Sequence, residues 1–145
     1  MIGKTIDQLT LGERAEFTKT VSESDVYLYA GLTGDFNPAH INEAYAMKTF
    51  FKSRIAHGLL IAGFISAVLG TQLPGRGNIY LRQELNFLAP VYIGDTITAQ
   101  VEVVEIMAEK KQARLKTICV NQEGTKVLDG EAVVSPARPA KIAIE

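Results

Sequence analysis

Asp35 and His40 stand five residues apart in the segment Thr33-Gly34-Asp35-Phe36-Asn37-Pro38-Ala39-His40, with an Asn-Pro step between them. Proline fixes its own φ, lacks an N–H and pushes the residue before it out of the α region, so the chain is expected to turn at Asn37-Pro38. The turn lets the carboxylate and the imidazole face each other. A carboxylate and an imidazole converging on one spot can hold a water molecule and take its proton, which is the core requirement of a hydratase or a hydrolase. Ordinary pKa values of about 3.9 for Asp and 6.5 for His leave the ring closer to neutrality, while a close pair titrates as one unit, so either residue is open as the base. Asp and Asn are also turn and capping residues, and a plain connector between helices is the competing reading.

What favours chemistry is the stretch that follows. No Lys, Arg, Asp or Glu lies between Arg54 and Arg76, and His57-Gly58 opens its apolar part, Gly58 to Gly70. A run of that kind is long enough to raise membrane insertion, but its apolar heart is short, and a buried central helix is the expectation. Upstream, Arg14 to Val21 reads as a strand with Ala15, Phe17 and Val21 on one face. Val26, Tyr29, Ala30 and Thr33 recur at helical spacing, giving a short helix over Asp25 to Leu32 capped by Ser22 or Ser24, and Asn42 can cap a second one through about Thr49. The Asp/His segment comes directly off the end of the first helix.

Downstream the period changes to two. Ile79, Leu81, Leu85 and Phe87 alternate with Tyr80, Arg82, Glu84 and Asn86, and Ile97, Ala99, Val101 and Val103 alternate with Thr98, Gln100 and Glu102. Arg114 to Val120 and Lys126 to Val134 supply two more strands, so the second half is expected to be an antiparallel meander. One apolar helix and five strands solve the burial problem if the sheet curls around the helix, an α+β arrangement known as the hot dog fold. Residues 1–145 are read as one such domain, with an extended tail from about Pro136 that is expected to fray.

Composition agrees. A chain of 145 residues suits a single domain, able to bury roughly 68–70% of its unfolded surface. With 47% apolar residues, 21% charged residues and a net charge of −1, no field suggests binding to nucleic acid or to anionic lipid. The N-terminus reaches Asp7 without an apolar run, so export is not expected. Cys119 is a solitary cysteine in an alternating strand, expected as a small buried residue in a protein of the reducing cytoplasm.

The chain resembles the MaoC-type (R)-specific enoyl-CoA hydratases, also called hydratase 2. The resemblance rests on Gly34-Asp35-Phe36-Asn37-Pro38-Ala39-His40, on Ile55-Ala56-His57-Gly58-Leu59-Leu60, on Leu73 to Leu81 and on Pro90-Val91-Tyr92-Ile93-Gly94-Asp95, and it covers nearly the whole chain. It implies reversible syn hydration of a trans-2-enoyl-CoA to an (R)-3-hydroxyacyl-CoA, with Asp35 and His40 catalytic and with coenzyme A entering as part of the substrate, no separate cofactor being required. It also implies a homodimer, which an otherwise exposed sheet edge would favour.

Physical chemistry supplies the supporting roles. Asn37 is expected to fix the loop or the water. Attack at C3 drives charge onto the thioester oxygen, and the free backbone N–H of Gly58 at the start of the long helix suits that oxygen. Ser66, two turns on, either joins the network or bonds back to a carbonyl one turn earlier. Leu69 is a candidate for the acyl pocket, with an ordinary core position as its alternative. Asp35, His40 and His57 form a conceivable iron-type ligand set, but a metal is not expected, and His57 is read as capping or orienting the helix. Lys52, Arg54, Arg76 and Arg82 could meet coenzyme A phosphates, although solvated surface charge is the first expectation. An acyl-CoA thioesterase and a non-catalytic acyl-binding subunit of the same fold are the alternatives.

Overall fold

The computed structural model describes residues 1–139, and the last part of the expected tail lies outside the described residues. After a short 3-10 turn at Ile6–Gln8 come strand β1 (Arg14–Thr20), helices α1 (Glu23–Thr33), α2 (Pro38–Ile41), α3 (Glu43–Ala46) and α4 (Gly58–Thr71), then strands β2 (Ile79–Phe87), β3 (Thr96–Met107), β4 (Gln112–Val120) and β5 (Lys126–Ser135). The five strands form one antiparallel sheet in the order β1-β3-β4-β5-β2. This is the hot dog fold.

Burial of α4 organises the rest. Ile61, Phe64, Ile65, Val68 and Leu69 fall on one side of this helix and are buried, the three-and-four spacing of a core-facing stripe. They meet the inward residues of the sheet, including Ile97, Ala99 and Val101 of β3, Leu115 of β4, and Leu128 and Ala132 of β5. The Phe17 and Phe64 rings meet edge to face, with centroids 6.0 Å apart, a geometry favoured by the ring quadrupoles. Cys119 is fully buried opposite Ala99 and Leu128, and burial pushes its thiol pKa up to about 12. No helix among the described residues is long and apolar enough to cross a membrane.

The meander expected for the second half holds only for β3, β4 and β5. One side of β3 is taken by β1, from Arg14↔Glu102 to Thr20↔Thr96, so β2 pairs instead with β5 at the far edge. A bulge between Tyr80 and Arg82 interrupts that pairing, and Ile79 and Leu81, expected on the inner face, are exposed. With one strand neighbour and a broken alternation, the start of β2 is turned away from the core. The tail does not fray at its start, because Ala137 is buried, lying against Gly77.

Between β1 and α4 the chain makes an excursion of short helices. Ser22 caps α1, accepting from the Asp25 N–H while Asp25 accepts from the Ser22 N–H, the reciprocal arrangement that satisfies two free donors at a helix start. Arg54 gathers the excursion: its guanidinium reaches Glu23 of α1 at 2.7 Å, Glu43 of α3 at 3.0 Å and the Tyr27 hydroxyl at 2.8 Å. Its charge is therefore committed internally, not offered to a phosphate. Ile65→Ala, which opens a cavity beneath α4, is expected to lower unfolding free energy by about 2–5 kcal/mol, measured by denaturant titration.

Candidate active site

Gly34 ends α1 in the left-handed conformation, φ 80°, with its N–H on the Ala30 carbonyl. A glycine adopts that conformation without a Cβ penalty. The reversal delivers Asp35 into a loop tied by its own atoms: the Asp35 N–H donates to Thr33 Oγ1 at 3.2 Å, and Asp35 Oδ1 accepts from the Asn37 N–H at 3.2 Å. Asn37 then caps α2, its side-chain oxygen accepting from the Ala39 N–H at 3.1 Å, with Pro38 at the first helical position. The Asn-Pro step therefore starts a one-turn helix where only a turn was expected. Of the two roles considered for Asn37, its side chain performs the fixing of the loop.

His40 sits on α2 and is buried. Its Nδ1 lies 2.7 Å from the Ile55 carbonyl oxygen. A carbonyl only accepts, so Nδ1 carries the proton and the neutral ring keeps its lone pair on Nε2. Ile55 is itself pinned, its N–H on the Ala39 carbonyl at 3.2 Å, while the next residue, Ala56, donates to Val91 at 2.7 Å. Burial lowers the His40 pKa below its ordinary 6.5, and nearby His57 lowers it further; the Ile55 hydrogen bond and the Asp35 charge pull the other way.

His57 precedes α4 as its N-cap residue, but its side chain makes no cap hydrogen bond. Instead its Nε2 lies 2.9 Å from the Asp35 carbonyl oxygen. The two histidine rings pack against each other at a tilt, with centroids 3.9 Å apart and planes inclined by 31°. Asp35, His40 and His57 each bring a ligand-type atom within 4.8 Å of the others, so the three form one polar cluster. For a metal, two of the ring nitrogens are already committed to backbone carbonyls that orient the rings.

The cluster stands on the wall of a cleft of about 500 Å³ lined by Tyr29, Asp35, His40, His57 and Gly58, and by apolar side chains that include Ile61, Phe87, Val91 and Leu128. That size and lining suit a small apolar group presented to a few polar atoms. Gly58 is the first residue of α4, so its N–H has no acceptor within the helix. A Cβ there would stand 2.5 Å from the Phe87 ring, so any larger residue would have to displace that ring. Ser66 and Leu69 are not brought to the cleft wall. Ser66 is exposed on the outer side of α4, without a side-chain hydrogen bond among the described residues, and Leu69 is in the core.

Residues 8–126 match the MaoC like domain family. The chain belongs to that family. Among MaoC-like relatives, the (R)-specific enoyl-CoA hydratase of Rhodospirillum rubrum is 59% identical over 128 residues, covering 88% of this chain and 88% of its own. The 3-hydroxybutyryl-CoA dehydratase of Methylorubrum extorquens is 51% identical, covering 88% of this chain and 81% of its own. The unliganded R-hydratase PhaJ1 structure from Pseudomonas aeruginosa superposes with a TM-score of 0.90 at 42% identity, covering 94% of this chain and 88% of that one.

The histidine whose role the sequence understated is His57; the only signal was its place immediately before the helix glycine. The His40 environment makes a testable statement. Because the folded chain binds fewer protons on His40 than the unfolded chain just below pH 6.5, this residue makes stability fall as the pH is lowered through that window. An NMR titration of the His40 ring is expected to give a midpoint below 6.5 in the folded protein, and a midpoint at or above that value would contradict the burial argument.

Proposed function

We propose that this chain is an (R)-specific enoyl-CoA hydratase, adding water syn across a trans-2-enoyl-CoA to give an (R)-3-hydroxyacyl-CoA and removing it in the reverse direction. One observation carries the reading: a carboxylate and an imidazole with a free Nε2 lone pair share the wall of an apolar cleft beside the amino end of α4. The activities for which the Rhodospirillum and Methylorubrum relatives are named support it.

The roles follow from the tautomer. Water donates one hydrogen to His40 Nε2 and the other to the Asp35 carboxylate, leaving an oxygen lone pair aimed at C3. As the C3–O bond forms, the electrons of the double bond move toward C2 and the thioester oxygen, where the Gly58 N–H donates to the developing charge. The proton released by water goes to the Asp/His pair, and the pair returns one to C2. Because both exchanges occur at one cluster, the two additions fall on the same face. The addition of water is redox-neutral overall, so no cofactor is needed beyond the coenzyme A carried by the substrate.

Assembly as a homodimer belongs to the same proposal. The outer edge of β1 carries Arg14, Glu16 and Lys19, whereas β2 presents Ile79, Tyr80 and Leu81 to solvent. Charged edges resist strand addition and apolar edges invite it, so β2 is the edge expected to meet a second copy. The single buried thiol of Cys119 fits a cytoplasmic setting.

Crotonyl-CoA tests the activity. The wild-type chain is expected to remove the enoyl absorbance without releasing free thiol, and Asp35→Asn and His40→Ala are each expected to reduce kcat by about 10²-fold or more. Release of thiol would instead indicate thioester hydrolysis, and unchanged turnover in both folded variants would remove the pair from the chemistry.

A further inference from the structure

His57 takes no part in the proposed bond changes, yet it is among the most buried polar residues described, only 2% exposed. Its Nε2 faces the Asp35 carbonyl at 2.9 Å, and a carbonyl can only accept, so Nε2 holds the hydrogen in the neutral ring. The other nitrogen, Nδ1, is buried and meets no hydrogen-bonding partner among the described residues. That is tolerable for a bare lone pair and costly for an N–H. The ring packs against two others, with centroids 3.9 Å from His40 and 4.7 Å from Tyr29. Its backbone carbonyl accepts from the Leu60 N–H at 3.1 Å and so begins α4.

Each of these contacts ends on a group used in the proposed reaction. The Nε2–H holds the backbone of Asp35, the ring backs the His40 imidazole, and the main chain leads directly into the Gly58 N–H. Such a tether matters for Asp35 because, among the described residues, its other hydrogen bonds are local ones to Thr33 and Asn37. We propose that His57 is a positioning residue: in its Nε2–H tautomer, opposite to the Nδ1–H tautomer of His40, it joins the carboxylate loop, the base ring and the oxyanion donor into one fixed array. The inference rests on the hydratase reading for its purpose, but not for its geometry.

The chain contains two histidines, so long-range ¹⁵N spectra of the labelled protein resolve both rings, assigned by the loss of one set of signals in His57→Gln. At about pH 8, above the ordinary imidazole range, His57 is expected as Nε2–H and His40 as Nδ1–H. A Nδ1–H tautomer at His57, or rapid averaging of the two forms, overturns the proposal whether or not the protein hydrates enoyl-CoA. Kinetics with crotonyl-CoA separate the two side-chain contacts. His57→Ala loses both and is expected to lower kcat by about 10²-fold, the scale of a misplacement near 1 Å, with KM changed little. His57→Gln keeps a donor for Asp35 and His57→Phe keeps a ring against His40, so each is expected to recover part of that loss. Wild-type kcat in a folded His57→Ala variant overturns the positioning role. If that variant does not fold, equal and complete loss in folded Gln and Phe variants does so, because neither contact would then contribute separately.

Discussion

An apolar helix of 14 residues in a chain this small can be hidden only by wrapping the sheet around it, and that one requirement determines where everything else can go. With the body of α4 enclosed, its amino end becomes the place where the interior opens. The excursion of short helices between β1 and α4 must return to that opening, since its last residues run straight into the helix. A cleft with apolar walls and unsatisfied backbone donors at its rim is thus a by-product of burying the helix.

Precision at the opening comes from main-chain carbonyls. Those of Ile55 and Asp35 fix the two imidazole rings in opposite senses, and Ile55 and Ala56 are held by Ala39 and Val91. Arg54, immediately before them in the chain, draws α1 and α3 onto the same segment through Glu23, Glu43 and Tyr27. The reactive side chains are therefore oriented by backbone whose position depends on helix packing, while the carboxylate itself remains exposed to incoming solvent.

Much of this was legible in the residues. Strand periodicity located four of the five strands within one or two residues of their ends, β3 running longer, and the Ser22 cap, the amino end of the long helix and the convergence of Asp35 with His40 all followed from local rules. What was not legible depended on partners distant in sequence. The Asn-Pro step could be read as a turn, but whether Asn37 capped a helix depended on α2 being held against Ile55. The alternation of β2 gave no sign that β1 would occupy the place beside β3, nor that Ile79 and Leu81 would face outward past a bulge. Arg54 looked like surface charge because its acidic partners lie 31 and 11 residues away. His57 looked like a helix cap because nothing local reveals that its ring reaches back across 22 residues to Asp35.

The close approach at Gly58 has a mechanical corollary. Phe87, whose ring fills the space a side chain there would need, is the last residue of β2, an edge strand of the sheet. A side chain at position 58 could be seated only if that ring moved, so the end of β2 and the first peptide of α4 share one packing contact. The outer rim of the sheet and the corner where charge would develop are thus neighbours, separated by a single aromatic ring.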